Sequence, residues 1–469
     1  MKKTGILILL AACLFACRKE HQEFPNPPVA DGIGINVTVN QNQPGNAIPA
    51  TFEGLSFETQ ILTANPGFLN VNNAVLIQLI KNLGPGLLRI GGGTSDEVYW
   101  SENMYTGSTT ADSLTTSDID RLSAFSKAIG WQVLFGLNLG SNDAASASNE
   151  ALYVNNSLGD NLYAFQSGNE PDVFNYGMRP PTYNYSGYQV EWETYLSAVR
   201  NAVPQAPFAG PDVAYNTDWI TAFAGNESKN VKLLDGHYYL TGPATDPSIT
   251  YQTILAYSTK LPNYLLSLKN ASAQYNLPYR ITESNNIYGG GKKGVSDVFA
   301  SALWALDFMW TVAENNGVGI NFHGGDGLHY SPVLVQNGVL VASPEYYAML
   351  AFKYGSTGGT IIPASISNPD YCSAYACAKA DGTYTFTLIN KDEKNNYSFN
   401  IQLNKTASVI QVARLTAPSV TATTGTTFAG AMVNADGTFE TKTTEQYSVS
   451  GKSFIVNLLP GSAAVVTVQ

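Results

Sequence analysis

Tyr163-Ala164-Phe165-Gln166-Ser167-Gly168-Asn169-Glu170-Pro171 is the stretch on which the reading of the fold turns. A short apolar run ends in a glycine, an amide and a carboxyl, and a proline stiffens the exit. Similar apolar runs recur from about Thr51 to Gly355, at Phe52–Phe57, Leu87–Gly91, Gln132–Leu137, Tyr163–Gln166, Phe208–Pro211, Leu233–Tyr239, Tyr279–Thr282 and Gly319–His323. Strands that read as mostly apolar, without strict alternation, belong to parallel sheets covered by helices. Helical patterns lie between them. Asn73 to Leu83 has apolar positions at Val75, Leu76, Leu79, Ile80 and Leu83, and Ser117-Asp118-Ile119-Asp120 opens a helix that Gly130 closes. Ser296 to Asn315 is apolar almost all round, as a helix wedged between a barrel and a neighbouring domain would be.

Eight such units predict an α/β fold, a (β/α)₈ TIM barrel over residues 51–355, with its chemistry at the strand C-termini. Polar residues do collect there: Glu58, Asp96, Asn138, Glu170, Asp212, His237, Glu283 and His323. A doubly wound open sheet is the alternative, but no Gly-rich nucleotide fingerprint follows the first strand. After Tyr354 the helical signal stops. Alternating runs such as Asp381–Asn390 and Phe454–Val468 predict an antiparallel β-sandwich over residues 356–469, joined by the early strand Ile33–Val39 within residues 33–50.

Glu283, in Ile281-Thr282-Glu283-Ser284-Asn285-Asn286, is a second carboxyl at a strand end, three strand–helix units after Glu170. Two carboxyls at one rim of a parallel barrel are what retaining glycoside hydrolysis uses. One protonates the leaving oxygen while the other attacks the sugar carbon from the opposite side. The acid must keep its proton near neutral pH, and the nucleophile must stay ionised. Arg89, on the second strand, is the buried cation expected beside the pair.

Composition narrows the ligand. The net charge of −11 argues against nucleic acid, which rewards clustered Lys and Arg, and no broad basic groove for long sulfated chains is visible. A short anionic substrate is compatible, because a local site can override the global field. At the N-terminus, Lys2 and Lys3 precede the apolar stretch Ile6–Ala12, and Leu14-Phe15-Ala16-Cys17 resembles a bacterial lipobox. Residues 1–17 are therefore read as a lipoprotein signal ending at a lipidated Cys17, with an ordinary cleaved secretory signal as the alternative. Residues 18–32 are read as a flexible tether. The expectation is an exported bacterial lipoprotein, periplasmic or at the surface and anchored to the outer membrane only through its lipid. Cys372 and Cys377 are separated by an odd number of positions on one strand-like run, which predicts opposite faces and two buried free thiols. No zinc pattern is present, and no metal or organic cofactor is expected.

Five motifs occur in order: Arg89-Ile90-Gly91-Gly92-Gly93, Gly168-Asn169-Glu170-Pro171, Asp235-Gly236-His237-Tyr238-Tyr239, Thr282-Glu283-Ser284-Asn285 and Asn321-Phe322-His323-Gly324-Gly325. Together they resemble glycoside hydrolase family 79, the β-glucuronidase and heparanase group within the clan A barrels. The resemblance implies that Glu170 is the acid/base, that Glu283 is the nucleophile, and that Tyr239 hydrogen-bonds the nucleophile. It implies further that Tyr288 and Tyr330 grip a sugar carboxylate. The loop Asn286-Ile287-Tyr288-Gly289-Gly290-Gly291-Lys292-Lys293 suits that task, since amides at Gly289 and its neighbours form an anion-binding concavity and Lys292 adds charge. The other reading is a plain flexible linker.

Asp96 and Asn169 are expected as hydroxyl ligands, Asn169 on the sugar 2-OH. Glu58 either does similar work or is a structural carboxylate bonded to backbone. His237 and His323 are either core histidines satisfied by neighbours or part of the site, and the Tyr-rich run Tyr176–Tyr188 either stacks on sugar or packs loop against barrel. The expected activity is a retaining exo-β-D-glucuronidase acting on a glucuronic-acid-bearing oligosaccharide or glycan. Alternatives are a β-xylosidase, an arabinofuranosidase, a heparanase-like endo-enzyme, or a non-catalytic carbohydrate-binding lipoprotein.

Overall fold

Nine consecutive buried residues, Tyr279–Ile287, illustrate why these runs close into a barrel, because such a strand needs cover on both faces. The structure is a computed structural model that describes residues 24–40, 42–101, 113–336, 338–442 and 444–469. Its eight parallel barrel strands are β1 (Gly54–Glu58), β2 (Leu87–Gly91), β3 (Gln132–Leu137), β4 (Leu162–Ser167), β5 (Ala209–Val213), β6 (Leu233–Thr241), β7 (Tyr279–Ile287) and β8 (Ile320–Gly324). Their order is β4-β3-β2-β1-β8-β7-β6-β5. A parallel bridge between Phe165 and Phe208 closes the ring between β4 and β5, and the Glu170 N–H donates to the Asp212 carbonyl at 2.8 Å. The (β/α)₈ expectation holds.

One long helix follows each strand: α1 (Ala74–Leu83), α2 (Thr116–Ile129), α3 (Ala144–Leu158), α4 (Tyr185–Ala202), α5 (Thr217–Glu227), α6 (Lys260–Tyr275), α7 (Phe299–Glu314) and α8 (Pro344–Ser356), with short helical turns at Ile61–Ala64 and Tyr251–Leu255 besides. Asn73 caps α1 by accepting from the Leu76 N–H. The start expected at Ser117 lies at Thr115, where the Thr115 and Asp118 side chains form a reciprocal capping box. Gly130 ends α2 in the left-handed region, as expected.

Two strand ends depart from regular pairing, and both departures matter for the site. The register of β7 shifts between Ile281 and Glu283 against β6, and between Ile281 and Ser284 against β8. The register between β5 and β6 shifts between Gly210 and Val213, where Asp212 has a φ of 58°. Bulges of this kind re-aim a side chain relative to strict alternation.

Beyond α8 the chain adds eight strands to Ile33–Val39 to complete a nine-stranded β-rich unit. Its long strand Tyr397–Thr416 serves two layers. The first half pairs parallel with Ile33–Val39, and the second half pairs antiparallel with Ser462–Val468, with irregular register near Ala407 marking the passage. The early strand thus joins the sandwich as expected. Ile35, Val37, Phe386, Phe399, Val456 and Val466 form the core between the layers. Cys372 belongs to that core and Cys377 to the barrel-side cluster, so the two thiols are buried, free and on opposite faces. Burial pushes each thiol up to about 12.

Helix α7 is the wedge its sequence predicts. Trp310 stacks on Tyr375 with ring centroids 5.7 Å apart, and Asp307 accepts from the Tyr375 hydroxyl at 2.6 Å and pairs with Lys391. The tether reading needs correction over residues 24–32. There the Asp31 and Gly32 amides donate to Ser398 Oγ, and Asn457 Nδ2 donates to the Val29 carbonyl, so this stretch lies along the sandwich. The polar, proline-bearing composition is equally suited to an extended strap that borrows its partners from elsewhere. The signal and Cys17 lie outside the described residues. No helix among the described residues is long and apolar enough to cross a membrane.

Candidate active site

Arg89 organises the C-terminal mouth of the barrel. It is fully buried on β2, and its five N–H groups all have acceptors. Nη1 donates to Glu283 Oε2 at 2.8 Å and to Ser56 Oγ at 3.0 Å. Nη2 donates to Asp212 Oδ2 at 2.6 Å and to Asn169 Oδ1 at 2.9 Å, and Nε donates to Gln166 Oε1 at 3.0 Å. These partners come from β1, β4, β5, β7 and the turn after β4. One guanidinium therefore locks side chains from across the barrel into a single arrangement. A buried cation with every donor engaged in planar geometry is a task for arginine rather than lysine.

Glu283 occupies the β7 bulge. Its Oε1 accepts from the Tyr239 hydroxyl at 2.8 Å, and His323 Nδ1 lies 3.6 Å from its Oε2. Burial by itself would raise this carboxyl. The charges of His323, His237 and Arg89, together with the Tyr239 hydrogen bond, outweigh burial and hold it well below the usual carboxylate range. The group is an anion poised in a desolvated pocket.

Glu170 presents a contrasting setting. Its backbone is left-handed, with φ 53° and ψ 50°, a strained conformation for a residue with a side chain. Its Oε1 lies 2.8 Å from His237 Nδ1, and His237 Nε2 lies 2.9 Å from Asp212 Oδ1. Burial would lower the imidazole, but the charges of Asp212 and Glu283 and the bonds to Asp212 and Glu170 raise it well above its ordinary value. His237 thus joins Glu170 to Asp212 through its two ring nitrogens. Asp212 is in turn held below its ordinary range against burial by Arg89 and His237.

Glu170, His237 and Glu283 each bring one polar atom within 4.8 Å of the others. That spacing could bridge a cation, but both ring nitrogens of His237 are already engaged, Nδ1 with Glu170 and Nε2 with Asp212. The arrangement reads instead as a carboxyl pair around a small reacting centre.

The cavity above these groups has a volume of about 990 Å³. Among the residues expected from sequence, Glu58, Glu170, Tyr239, Glu283, Tyr288, Gly289 and Tyr330 line it, and His237 and His323 line it as well. Glu58 lines the cavity and is also bonded to backbone. Its Oε2 accepts from the Thr94 amide and hydroxyl, and its Oε1 lies 3.3 Å from His323 Nε2. Tyr288 packs where Gly242 leaves room, since a Cβ at Gly242 would fall 2.4 Å from the ring. Gly291 is needed for a similar reason, since a Cβ there would lie 2.8 Å from the Tyr330 amide nitrogen. The Gly-rich run is thus a built turn that brings Gly290 beside the Tyr330 phenol.

Three expected ligands are placed otherwise. Asp96 does not line the cavity. Its Oδ1 accepts from the Leu139 and Gly140 amides, and its Oδ2 accepts from the Asn169 amide at 2.7 Å. Burial nevertheless pushes it up to about 7. Asp96 fixes the backbone beside Glu170, because three N–H groups in a buried turn need an acceptor. Lys292 turns away to donate to the carbonyls of Asp246 and Ile249 at 2.6 and 2.8 Å, where unpaired carbonyls compete for its ammonium. Asn169 Oδ1 is occupied by Arg89, and the residue is not part of the cavity wall.

The Tyr-rich run is divided between its two readings. Tyr176 lines the cavity, whereas Tyr183, Tyr185 and Tyr188 pack around Trp219. Sequence reasoning missed the roles of Gln166, Ser56, Lys260 and Tyr215. It flagged Asp212 only as a polar strand end, although Gly210-Pro211-Asp212 interrupts a strand in the same way as the stretch before Glu170.

Comparison with known proteins follows the geometry. Residues 62–309 match the description "Glycosyl hydrolase family 79, N-terminal domain", and residues 374–466 match "Glycosyl hydrolase family 79 C-terminal beta domain". A beta-glucuronidase of Aspergillus niger is 25% identical over 473 residues, covering 86% of this chain and 86% of that protein. A beta-glucuronidase of Neurospora crassa is 24% identical over 431 residues, covering 77% of this chain and 75% of that protein. The crystal structure of a 4-O-alpha-L-rhamnosyl-beta-D-glucuronidase from Fusarium oxysporum 12S superposes with a TM-score of 0.77 at 21% identity, covering 93% of this chain and all of that one, and speaks for the fold.

Proposed function

The chain belongs to glycosyl hydrolase family 79, and on that premise we propose that it is a retaining exo-β-D-glucuronidase. It releases terminal glucuronic acid, or the 4-O-methyl form, from a glycan. The observation that carries the mechanism is that one carboxylate oxygen of Glu170 and one of Glu283 lie within 4.8 Å of each other. Retaining enzymes keep their two carboxyls about 5–5.5 Å apart, and inverting ones need about 6.5–9.5 Å to admit a water. In the first step Glu283 bonds to the anomeric carbon, and the glycosidic oxygen leaves with the proton of Glu170. In the second, Glu170 takes a proton from water as the hydroxyl replaces Glu283 on the sugar.

Support for a uronic acid comes from the cavity wall and from the names of the two fungal relatives. Tyr288, Gly289, Gly290 and Tyr330 line the same cavity as Glu283 and bring two phenols and a Gly-rich turn to its wall. A neighbouring cavity of about 350 Å³ shares Glu58 and Leu328 with the main one and offers space for a substituent on the bound sugar. A panel of aryl β-glucuronide, β-xyloside, β-glucoside and α-arabinofuranoside tests the assignment. The glucuronide is expected to be the preferred substrate, and preference for any other refutes it. Tyr288→Phe should lower kcat/KM for the glucuronide about tenfold relative to the xyloside, the worth of one hydrogen bond to a charged group. An equal effect on both places the carboxylate elsewhere.

The N-terminal reading extends to location. The chain is an exported lipoprotein joined to a membrane through Cys17, and nucleic acid is not its partner. Metabolic labelling with a fatty acid should tag the wild type but not Cys17→Ser, and equal labelling of both would exclude this attachment.

A further inference from the structure

A recess of about 220 Å³ opens where the barrel meets the β-rich unit. It shares only Tyr238 with the lining of the catalytic mouth. The barrel contributes Tyr257, from the loop between Tyr251–Leu255 and α6. The β-rich unit contributes Tyr371, at the start of the strand Cys372–Lys379. These two rings are 66% and 52% exposed, one from each side of the junction. Aromatic faces left open to water at the edge of a recess are available for stacking.

The floor is aromatic as well. Tyr238 stacks on Phe308 with ring centroids 5.6 Å apart, and Phe308 stacks on Trp304 at 5.2 Å. Tyr238 lies on β6 between His237 and Tyr239, which reach Glu170 and Glu283 inside the barrel. Strand alternation therefore turns Tyr238 outward, toward the helix layer and the recess. It is 3% exposed, and its hydroxyl has no hydrogen-bond partner among the described residues. A buried phenol in that state is costly unless water or a ligand completes it. The charges of the recess nearly cancel. Asp307 pairs with Lys391, and the Lys391 amide donates to the Tyr371 carbonyl at 2.8 Å, which ties down the backbone that carries the ring. Asp370, exposed beside Tyr371, adds a carboxylate, and no second cation is found among the residues that line the recess. Surplus negative charge disfavours an anionic ligand.

From these placements we infer that the recess is a non-catalytic binding site for a neutral pyranose of a glycan, stacked on Tyr257 and Tyr371, and that it discriminates against uronic acids. An aromatic lining, polar groups at the rim and room for a single ring fit a sugar, and the Asp370 carboxylate selects an uncharged one. The site holds glycan on the outer face of β6, whose inner face carries His237 and Tyr239. It goes beyond the proposed hydrolysis and stands independently of it.

The test titrates the full-length protein calorimetrically with xylotetraose, cellotetraose and β-1,4-galactotetraose, and with tetragalacturonic acid as the acidic control. At least one neutral tetraose is expected to bind the wild type. Tyr257→Ala/Tyr371→Ala should weaken that binding about tenfold or more, and tryptophan at both positions should restore it. Both rings are exposed, so the variants should melt with the wild type, and kcat/KM on an aryl β-glucuronide should stay unchanged. Binding of none of the neutral tetraoses overturns the site, as does equal binding by the alanine variant. Equal affinity for tetragalacturonic acid overturns the assigned ligand class. A parallel loss of aryl glucuronide hydrolysis in the alanine variant moves the sugar to the catalytic mouth and overturns the site too. Failure of the wild type to hydrolyse the aryl glucuronide refutes the glucuronidase alone, because the recess is judged by binding.

Discussion

Glu283→Gln abolishes measurable turnover of an aryl β-D-glucuronide, a fall on the order of 10⁴-fold or more, while the fold survives. The amide is isosteric, so the Arg89 guanidinium and the Tyr239 hydroxyl keep a partner at their distances of 2.8 Å. What disappears is the anion. An amide oxygen does not form the glycosyl–enzyme bond, and the positive charges of Arg89, His237 and His323 lose the counter-charge around which they are arranged. Circular dichroism and thermal melting separate loss of chemistry from loss of fold. Activity within tenfold of wild type would remove Glu283 from the nucleophile role.

The second large effect depends on the substrate. Glu170→Ala lowers kcat/KM by roughly 10²–10⁴ on a glucuronyl disaccharide, whose alkoxide leaving group needs a proton. A dinitrophenyl glucuronide departs without one, so its first step continues at close to the normal rate. Its second step slows for want of a base, and the glycosyl enzyme accumulates. A lowered KM together with a burst of released phenol is the expected signature. Azide, small enough to occupy the vacated space and needing no base, should restore turnover on the activated substrate. Equal losses on both substrates would assign the proton transfer to another group. His237 is the natural alternative, since its Nδ1 lies 2.8 Å from Glu170.

Much of the fold was legible because each barrel strand must be apolar on both faces. Leu87–Gly91, Gln132–Leu137 and Leu233–Thr241 begin where their sequence patterns begin. Strand β7 was read as ending at Thr282 but continues to Ile287, since Ser284, Asn285 and Asn286 look like a turn in composition. Those polar side chains are paired inside. Ser284 Oγ donates to the Asn321 carbonyl, and Asn286 Nδ2 donates to Ser301 Oγ. Composition cannot distinguish a solvated polar residue from one with a buried partner supplied by a distant strand.

The same limit explains Asp96 and Lys292. Each has the chemistry of a sugar ligand, and each sits near the expected rim. Asp96 is claimed by the Leu139, Gly140 and Asn169 amides, and Lys292 by the Asp246 and Ile249 carbonyls. Conversely, nothing in the local sequence marks Tyr215 as exposed beside a cavity while Tyr188 is buried against Trp219.

Periodicity and strand-end chemistry, both local properties of the chain, sufficed to specify an eight-unit barrel, its trailing β-rich unit and the two glutamates at one rim. Closure of the barrel decided the rest. Arg89, Glu283 and Asp212 come from separate strands, yet one guanidinium bonds both carboxylates, and His237 links Asp212 onward to Glu170. Whether a carboxyl is nucleophile, proton carrier or backbone clamp depends on the charges and donors within a few ångströms of it. Those neighbours are assembled from across the chain only when the ring of strands is complete.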